Sequence, residues 1–425
     1  MSPGLASSDP EIAALIQREA VFQAHRLDLV ASDNHVSAAQ LEACAGVLAD
    51  NTVEGYPGAR FLAASRYVDG IERLAMERAC HLFKCRFANV QPHSGTQANQ
   101  AVMLALLKPG DRLLSMQVSA GGHFSHGEPG TLSGQWFDAR HYGVHADTGL
   151  IDYDEVRSLA QRHRPRLIIA GASAYPRAID FESFAQIARE VDATLMVDMA
   201  HVAGLVASGH FPDPVPHADV VTSTTYKNLP GVHGGLMLCN DETLAARLDA
   251  ALCPGLQGTV LFGMIAAKAV AFREASQPAF RAYGEQVLRN ARSLGAALQT
   301  LGIPLLTGGT DTPFVIADLR SHVTLAAPVV AALDALGIGS NAAPLPHDGG
   351  DFSRARGLRL GVNAITTRGM TEKQCERIAH FVAQAVQAVA RGGPLPTTVG
   401  EAVLSMCQRY PPPLRGNDTA GAAAS

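Results

Sequence analysis

Five short apolar segments, separated by stretches of helical periodicity, restrict the fold of this chain more than any other feature. They are Arg112–Met116, Leu167–Gly171, Thr194–Asp198, Val220–Thr224 and Gly235–Cys239. Short apolar strands that alternate with helices form a mostly parallel sheet, because the connecting helices then cover both of its faces. We therefore predict an α/β domain built on such a sheet.

The length of the chain predicts more than one domain, since 425 residues exceed what a single hydrophobic core usually organises. We expect an N-terminal helical arm at residues 1–45, a large domain at 46–275, a small C-terminal α+β domain at 276–392 and a tail at 393–425. The small domain is predicted from helices at 280–301, 326–336 and 371–390 and a strand at 314–318. The tail is expected to be poorly ordered because of Pro411–Pro413 and its Gly- and Ala-rich end.

Charge and composition limit the partners. The chain carries 34 Lys and Arg against 39 Asp and Glu, and it has no basic run, which argues against nucleic acid or an anionic membrane as a partner. A small-molecule substrate is expected instead. Neither a signal-like N-terminus nor a membrane-length apolar run is present, so we expect a soluble, cytoplasmic protein. The combination of 47% hydrophobic and 17% charged residues predicts further burial against another subunit.

The seven cysteines give no sign of a metal site or a disulfide framework. They form no CxxC pair and no Cys/His metal spacing, and their number is odd. We expect them to be buried thiols.

Three polar segments lie where parallel sheets bind ligands. Ser94, Gly95 and Thr96 precede a helical segment, and such a helix start binds phosphate, although an ordinary helix cap has the same composition. Asp198 ends an apolar strand, where it either pairs with a pyridine nitrogen or caps a helix. Lys227 follows a later strand and is placed to form an imine with an aldehyde, whereas a lone loop lysine is commonly solvated. Their order along one sheet favours pyridoxal 5′-phosphate, held by Lys227 as a Schiff base.

The segments around these residues resemble the serine hydroxymethyltransferases, a family of fold type I pyridoxal phosphate enzymes. The resemblance runs from about residue 27 to residue 390, and its longest motifs are Leu29-Val-Ala-Ser-Asp-Asn, Glu54-Gly-Tyr-Pro-Gly, Asn89-Val-Gln-Pro-His-Ser-Gly, Gly121-Gly-His-Phe-Ser-His-Gly, Val197-Asp-Met-Ala-His-Val-Ala-Gly-Leu-Val-Ala and Arg359-Leu-Gly. It implies a seven-stranded sheet in the large domain. It also implies a homodimer, or a dimer of dimers, with shared active sites and an amino-acid substrate.

The resemblance assigns the residues that hold the cofactor. Lys227 would form the imine, Asp198 would pair with the pyridine nitrogen and His123 would stack on the ring. The phosphate and the ring oxygen would be bound by the remaining residues: Ser94, Gly95, Thr96, Ser173, His201 and, from a neighbouring subunit, Gly258.

The same resemblance assigns the residues that act on the substrate. Arg359 and Ser32 would bind the carboxylate, for which a bidentate arginine is well suited. Glu54 matches the acid/base carboxylate beside the substrate hydroxyl. Tyr226 replaces a histidine that commonly precedes the lysine, so we take it as an altered catalytic group.

Several departures from the family pattern fall where the family contacts its folate cosubstrate. The usual Arg-Tyr-Tyr-Gly-Gly is replaced by 60–64 (Arg-Phe-Leu-Ala-Ala), and Thr52 stands where a further tyrosine is expected. His233 stands where the family has an arginine. In the segment 341–347 alanine replaces a side chain that would face the pteridine, and residues 258–260 (Gly-Thr-Val) stand where the family's phosphate loop has Gly-Gly-Pro. Each unmatched polar group costs on the order of 1 to 3 kcal/mol, so these losses together predict weak folate binding.

The main functional prediction is therefore a folate-independent aldolase or transaldolase that acts at the Cα–Cβ bond of a β-hydroxy-α-amino acid. Elimination of water or cyclisation of a hydroxylated amino acid, in a specialised-metabolite pathway, is one alternative. Ordinary folate-dependent transfer between serine and glycine is another. A non-catalytic scaffold is the weakest hypothesis, because Lys227, Asp198, His123 and Arg359 are all present.

Overall fold

The computed structural model describes residues 4–63, 65–346, 348 and 351–413. Residues 1–3 of the predicted arm, Ala64 and His347 of the divergent segments, and 414–425 of the predicted tail lie outside the described residues.

The N-terminal part combines helices with very short strands. Its elements are α1 (Leu5–Ser8), α2 (Pro10–Ala24), β1 (Leu27–Asp28), α3 (Ala38–Cys44), β2 (Gly55–Tyr56), β3 (Ala59–Arg60) and α4 (Arg66–Phe83). Helix α2 begins where the Asp9 carboxylate accepts a hydrogen bond from the Ile12 backbone N–H, with Pro10 in the first turn. None of its residues is buried in this chain. Strands β2 and β3 form an antiparallel hairpin.

A seven-stranded sheet forms the centre of the molecule. Its strands and covering helices are β4 (Phe87–Asn89), α5 (Gly95–Leu106), β5 (Arg112–Met116), α6 (Leu132–Trp136), β6 (Asp138–Tyr142), α7 (Tyr153–His163), β7 (Leu167–Ala170), α8 (Phe181–Glu190), β8 (Thr194–Asp198), α9 (Ala203–Ala207), β9 (Val220–Thr224), β10 (Gly235–Cys239), α10 (Glu242–Leu252) and α11 (Phe262–Ala275). The strand order is β4-β10-β9-β8-β7-β5-β6, and β10 alone runs in the direction opposite to the other six strands. The predicted α/β fold with a mostly parallel, seven-stranded sheet is confirmed.

The C-terminal part is built around a three-stranded antiparallel sheet of order β11-β14-β13. Its elements are α12 (Pro278–Thr300), β11 (Phe314–Asp318), α13 (Ala327–Ala335), β12 (Ile338–Gly339), β13 (Asn341–Ala343), β14 (Gly357–Gly361), α14 (Asn363–Thr367), α15 (Glu372–Arg391) and α16 (Thr397–Arg409). Strand β12 pairs in parallel with β1, which joins the N-terminal segment to this part. The proposed domain boundaries stay predictions.

Helix α16 corrects the expectation for the part of 393–425 that it covers, Thr397–Arg409. We predicted a poorly ordered tail there, but Val399, Val403, Met406 and Cys407 are buried along one face of this helix. Their spacing of four, three and one residues is that of an amphipathic helix, a signal that the Pro- and Gly-rich composition of the flanks obscured. In the part of the chain that the structure describes, no helix has the length and apolarity to cross a membrane.

Candidate active site

Nine of the predicted site residues line one cavity at the carboxyl ends of the central parallel strands. The cavity lies where α5 begins, where β8 and β9 end, and where the loops after β5 and β7 pass over the sheet edge. These nine residues are Ser94, Gly95, Thr96, His123, Ser173, Asp198, His201, Tyr226 and Lys227. Open parallel sheets bind ligands at this edge, so the position itself is that of a ligand site.

Lys227 is buried, and both its backbone carbonyl and its side-chain amine have polar partners. The Asn34 side-chain amide donates to its carbonyl oxygen at 2.8 Å, and the amine nitrogen lies 3.1 Å from Nε2 of His201. Burial lowers the pKa of Lys227 to about 8; the charge of Arg359 contributes to this, while that of Asp198 opposes it. The neutral amine, which is the form that attacks an aldehyde, is therefore accessible close to neutral pH.

Asp198 is kept ionised by a ring of hydrogen bonds. Its Oδ2 accepts from His126 Nε2 at 3.0 Å and from the Asn99 amide at 2.8 Å, and its Oδ1 accepts from the Ala200 backbone N–H at 3.0 Å. Burial acts to raise the pKa of this carboxyl, but the hydrogen bonds and the neighbouring histidines hold it well below its usual range. The hydroxyl of Thr222 donates to Asn99 at 2.7 Å and so fixes the amide that faces Asp198.

His123 lies beside this carboxylate as a neutral ring. Its Nδ1 accepts from the Ser125 backbone N–H at 3.2 Å and lies 2.7 Å from the Ser125 hydroxyl. Burial, aided by His126, lowers the pKa of His123 to about 4. An uncharged imidazole can stack on an aromatic ligand without adding a buried charge.

The start of helix α5 forms the opposite end of the cavity. Ser94 is the N-cap, and its hydroxyl accepts from the Gln97 backbone N–H at 3.1 Å, so the ordinary capping role applies to this side chain. A Cβ at Gly95 would lie 2.7 Å from the Thr224 methyl group, which explains why glycine stands there. The positive end of α5 thus faces the cavity, as an anion site requires.

Lys268, which the sequence analysis did not single out, fixes the loop that leads into α5. Its buried amine donates to the carbonyl oxygens of Val90, Pro92 and Gly235 at 2.6, 3.0 and 3.0 Å. Three acceptors match the three hydrogens of an ammonium group. Asn99 and His126 were not predicted as site residues either. His126 lies within the motif that begins at Gly121, and Asn99 lies four residues beyond the motif that ends at Gly95.

Arg359 reaches the wall of the cavity from strand β14. It donates from Nη1 to the Ser173 carbonyl oxygen at 2.6 Å and from Nε to Asn341 Oδ1 at 3.2 Å. Burial lowers its pKa to about 10, so the guanidinium remains charged at neutral pH. Ser32, the other predicted carboxylate ligand, bonds to Asp33 and lines an adjoining cavity that shares Tyr226 with this one.

Tyr226 bridges these two cavities. Its ring centroid lies 4.3 Å from that of His233, and the Lys227 amine lies 5.9 Å from the tyrosine ring centroid. Burial raises the pKa of the phenol, which is therefore neutral and able to donate a hydrogen bond.

Glu54 and Gly258 lie together but do not line the Lys227 cavity of their own chain. Thr259 Oγ1 is 3.5 Å from Glu54 Oε1, and a Cβ at Gly258 would lie 2.9 Å from the same oxygen. Their predicted roles at a substrate and a phosphate therefore require a second copy of the chain and stay predictions.

The residues around Lys227 fit pyridoxal phosphate. They supply a reactive amine, an ionised carboxylate, a flat neutral ring and a helix start, each suited to one part of that molecule. Nδ1 of His201 is buried without a hydrogen-bond partner among the described residues, and a ligand oxygen would satisfy it.

Comparisons with known proteins point to one family. The model of the family described as "Serine hydroxymethyltransferase" matches residues 5–382. Proteins named serine hydroxymethyltransferase from Hyphomonas neptunium and Rhodospirillum centenum are each 47% identical to the chain; the alignments cover 96% of the chain and 95% and 96% of these relatives. Serine hydroxymethyltransferase 2 from Ralstonia nicotianae is also 47% identical, over 96% of the chain and 98% of its own length.

Proposed function

This chain belongs to the serine hydroxymethyltransferase family, and we propose that it transfers a hydroxymethyl group between serine and glycine with tetrahydrofolate as the one-carbon carrier. Enzymes of this family are fold type I transferases that depend on pyridoxal phosphate, so the predicted enzyme class and cofactor are confirmed. The proposal is supported above all by the cavity itself, which brings a reactive lysine and an ionised aspartate together, with a buried arginine bonded to Ser173 in its wall.

The comparisons do not support the folate-independent aldolase or transaldolase that we predicted from the missing tyrosines. The relatives at 46 to 47% identity are named for hydroxymethyl transfer, and none is named for elimination or cyclisation. The replaced residues Phe61 and Leu62 are 60% and 45% exposed and, like Glu54, lie outside the cavity of their own chain. The nearby phenol of Tyr56 does not replace the lost ones, because it donates to the Asp249 carbonyl oxygen at 2.7 Å.

Pyridoxal phosphate bound in the cavity would supply an electron sink for the charge that develops at Cα. Asp198 stays ionised across the physiological range and is placed to hold a proton on a pyridine nitrogen. The histidine and asparagine behind it prevent the carboxylate from rotating. His123 presents a neutral face, so it orients a ring without competing for that proton.

Substrate orientation is assigned to Arg359. Its guanidinium is already anchored to Ser173 and Asn341, so little side-chain entropy is lost when it binds a carboxylate. Lys227 then holds or releases a proton at Cα. The phenol of Tyr226 is neutral and acts as a hydrogen-bond donor. The carboxylate at the substrate hydroxyl is then Glu54 of a second copy.

The proposal is tested by the dependence of the reaction on folate. Holoenzyme is incubated with serine, with and without tetrahydrofolate, and glycine is quantified. We expect glycine formation to rise at least about tenfold with tetrahydrofolate, which corresponds to about 1.4 kcal/mol of barrier. Equal rates in both incubations, with free formaldehyde as the second product, would favour the aldolase hypothesis instead. Arg359→Lys is expected to lower kcat/KM for serine both with and without tetrahydrofolate, since lysine cannot bind a carboxylate in a bidentate manner.

A further inference from the structure

Cys80 and Cys85 are two of the three cysteines that depart from the expectation that the thiols are buried. Both are half-buried, as is Cys44, whereas Cys239, Cys253, Cys375 and Cys407 are buried. Cys80 lies in the last turn of α4, and Cys85 lies just beyond the end of that helix. They lie outside the Lys227 cavity, so their chemistry is separate from the proposed transfer.

The end of α4 brings the two side chains together. Residues five positions apart in a continuous helix are about 7.5 Å apart along the axis, beyond what a disulfide tolerates. Here Lys84 adopts a left-handed conformation with φ of 55°, and the Cys85 backbone N–H donates to the Cys80 carbonyl oxygen at 3.1 Å. In this helix-ending motif the side chains at the two positions commonly contact each other, so the turn at Lys84 brings the two thiols to the same end of α4. The Cys85 thiol also donates to the Phe87 carbonyl oxygen at 3.4 Å.

We propose that Cys80 and Cys85 form a reversible intramolecular disulfide by exchange with low-molecular-weight disulfides. In the first step the Cys80 thiolate attacks one sulfur of the external disulfide, a mixed disulfide forms and one external thiolate leaves. In the second step Cys85 gives up its proton and attacks the Cys80 sulfur, which expels the other half as a second thiolate. The protein loses two hydrogens, and one external disulfide is reduced to two thiols.

The surroundings favour Cys80 as the attacking group. The neighbouring Cys85 side chain lowers the pKa of Cys80, whereas Cys80 raises the pKa of Cys85. Cys80 also lines a cavity of about 320 Å³ next to the exposed residues Arg73 and Arg86. Glu77 and Asp249 line the same cavity, so its two guanidinium groups are matched by two carboxyl groups, and the cavity gives an external disulfide access to Cys80.

The third thiol at this cavity, Cys239, is a poorer partner. It is buried at the end of strand β10, whereas Cys85 is half-buried at the end of α4 beside Cys80. Among the described residues no group of three or more His, Cys, Asp or Glu is arranged to hold a metal ion, so coordination does not compete with exchange.

Mass spectrometry on the holoenzyme tests the proposal. The protein is treated with glutathione disulfide, remaining thiols are alkylated in denaturant, and the digest is analysed. We expect two of the seven thiols to be lost, a peptide pair joined through Cys80 and Cys85, and full recovery after dithiothreitol. The proposal is overturned if both cysteines are alkylated to the same extent as the buried Cys375. A stable glutathione adduct on Cys80 of the wild type also overturns it.

Two variants sharpen the result. Cys85→Ser is expected to stop at the glutathione adduct on Cys80, because the resolving thiol is gone, with activity within about twofold of the wild type. Cys239→Ser, the matched control at the same cavity, is expected to form the Cys80–Cys85 bridge as the wild type does. A bridge from Cys80 to Cys239 in the wild type would contradict the assigned pair.

Discussion

At the scale of single residues, the reactivity of Lys227 comes from its burial and from two neighbouring charges that shift the pKa of its amine in opposite directions. Arg359 lowers the pKa of the amine and Asp198 raises it, but removal from water is the largest influence and brings the value to about 8. An ordinary exposed lysine would be almost fully protonated at neutral pH.

This predicts how the apoenzyme recombines with pyridoxal phosphate as pH changes. The rate should rise about tenfold per pH unit below about 8 and level off above it, because only the neutral amine attacks the aldehyde. Stopped-flow absorbance of the bound cofactor provides the measurement. Arg359→Leu should move the midpoint to higher pH, since a charge that disfavours the ammonium is removed. A rate that still rises tenfold per unit well above pH 8 would contradict the assignment.

Residue identities at this site were predictable where the chemistry demands a particular side chain. An imine needs an amine and a pyridine nitrogen needs a carboxylate, so Lys227 and Asp198 could be selected from the strand ends. Asn99 and Lys268 could not, because an amide or a lysine within a helical pattern has no distinctive spacing. Their roles depend on which carbonyls and carboxylates the fold places opposite them.

At the scale of secondary-structure elements, the start of α5 has two separable functions. The Ser94 hydroxyl caps the helix, and the same helix start lines the cavity that would receive a phosphate. A cap depends on a short oxygen acceptor, whereas phosphate binding also depends on the charge at that position.

Two substitutions at Ser94 are predicted to separate these functions. Ser94→Ala should lower apoenzyme stability by about 1 kcal/mol, because the Gln97 backbone N–H loses its acceptor. Ser94→Asp keeps an acceptor and should leave apoenzyme stability close to that of the wild type, yet weaken pyridoxal phosphate binding more than Ser94→Ala does, through charge repulsion. Urea denaturation and cofactor titration measure the two effects. Equal cofactor affinities for the two variants would exclude a phosphate at this helix start.

The bounds of strands were predictable where the strands are buried and long enough to show an apolar pattern. Four of the five strands predicted in the central sheet have the predicted bounds, and β7 ends one residue earlier, at Ala170. Strand β6 was missed because its edge position allows Asp138, Arg140 and His141 within it, which removes the apolar pattern. Strand β4 was missed because three residues are too few for a periodicity.

At the scale of the whole molecule, we propose that the active site is completed by a second copy of the chain, which would supply Glu54. Glu54 does not line the Lys227 cavity of its own chain. Helix α2 has no buried residue and exposes apolar side chains, among them Leu15, Ile16 and Phe22. Both features are expected of a chain that associates with itself, and we propose a dimer with shared sites.

Mixing inactive subunits tests this arrangement. Lys227→Ala and Glu54→Gln proteins, unfolded together and refolded, should recover about a quarter of wild-type activity, because half of the dimers are mixed and each mixed dimer has one intact site. Lys227→Ala mixed with Asp198→Ala is the control and should recover none, since both residues line the same cavity of one chain. If the first pair also recovers none while refolded wild type does, the site is formed by one chain.

The most direct test of the proposed function is a spectral titration of the holoenzyme with glycine, in the absence and presence of tetrahydrofolate. We predict that glycine changes the visible absorbance of the cofactor and that tetrahydrofolate strongly increases the long-wavelength band of glycine deprotonated at Cα. Lys227→Ala is expected to abolish the wild-type spectrum. A wild-type spectrum that responds to glycine but is the same with and without tetrahydrofolate would contradict folate-dependent hydroxymethyl transfer.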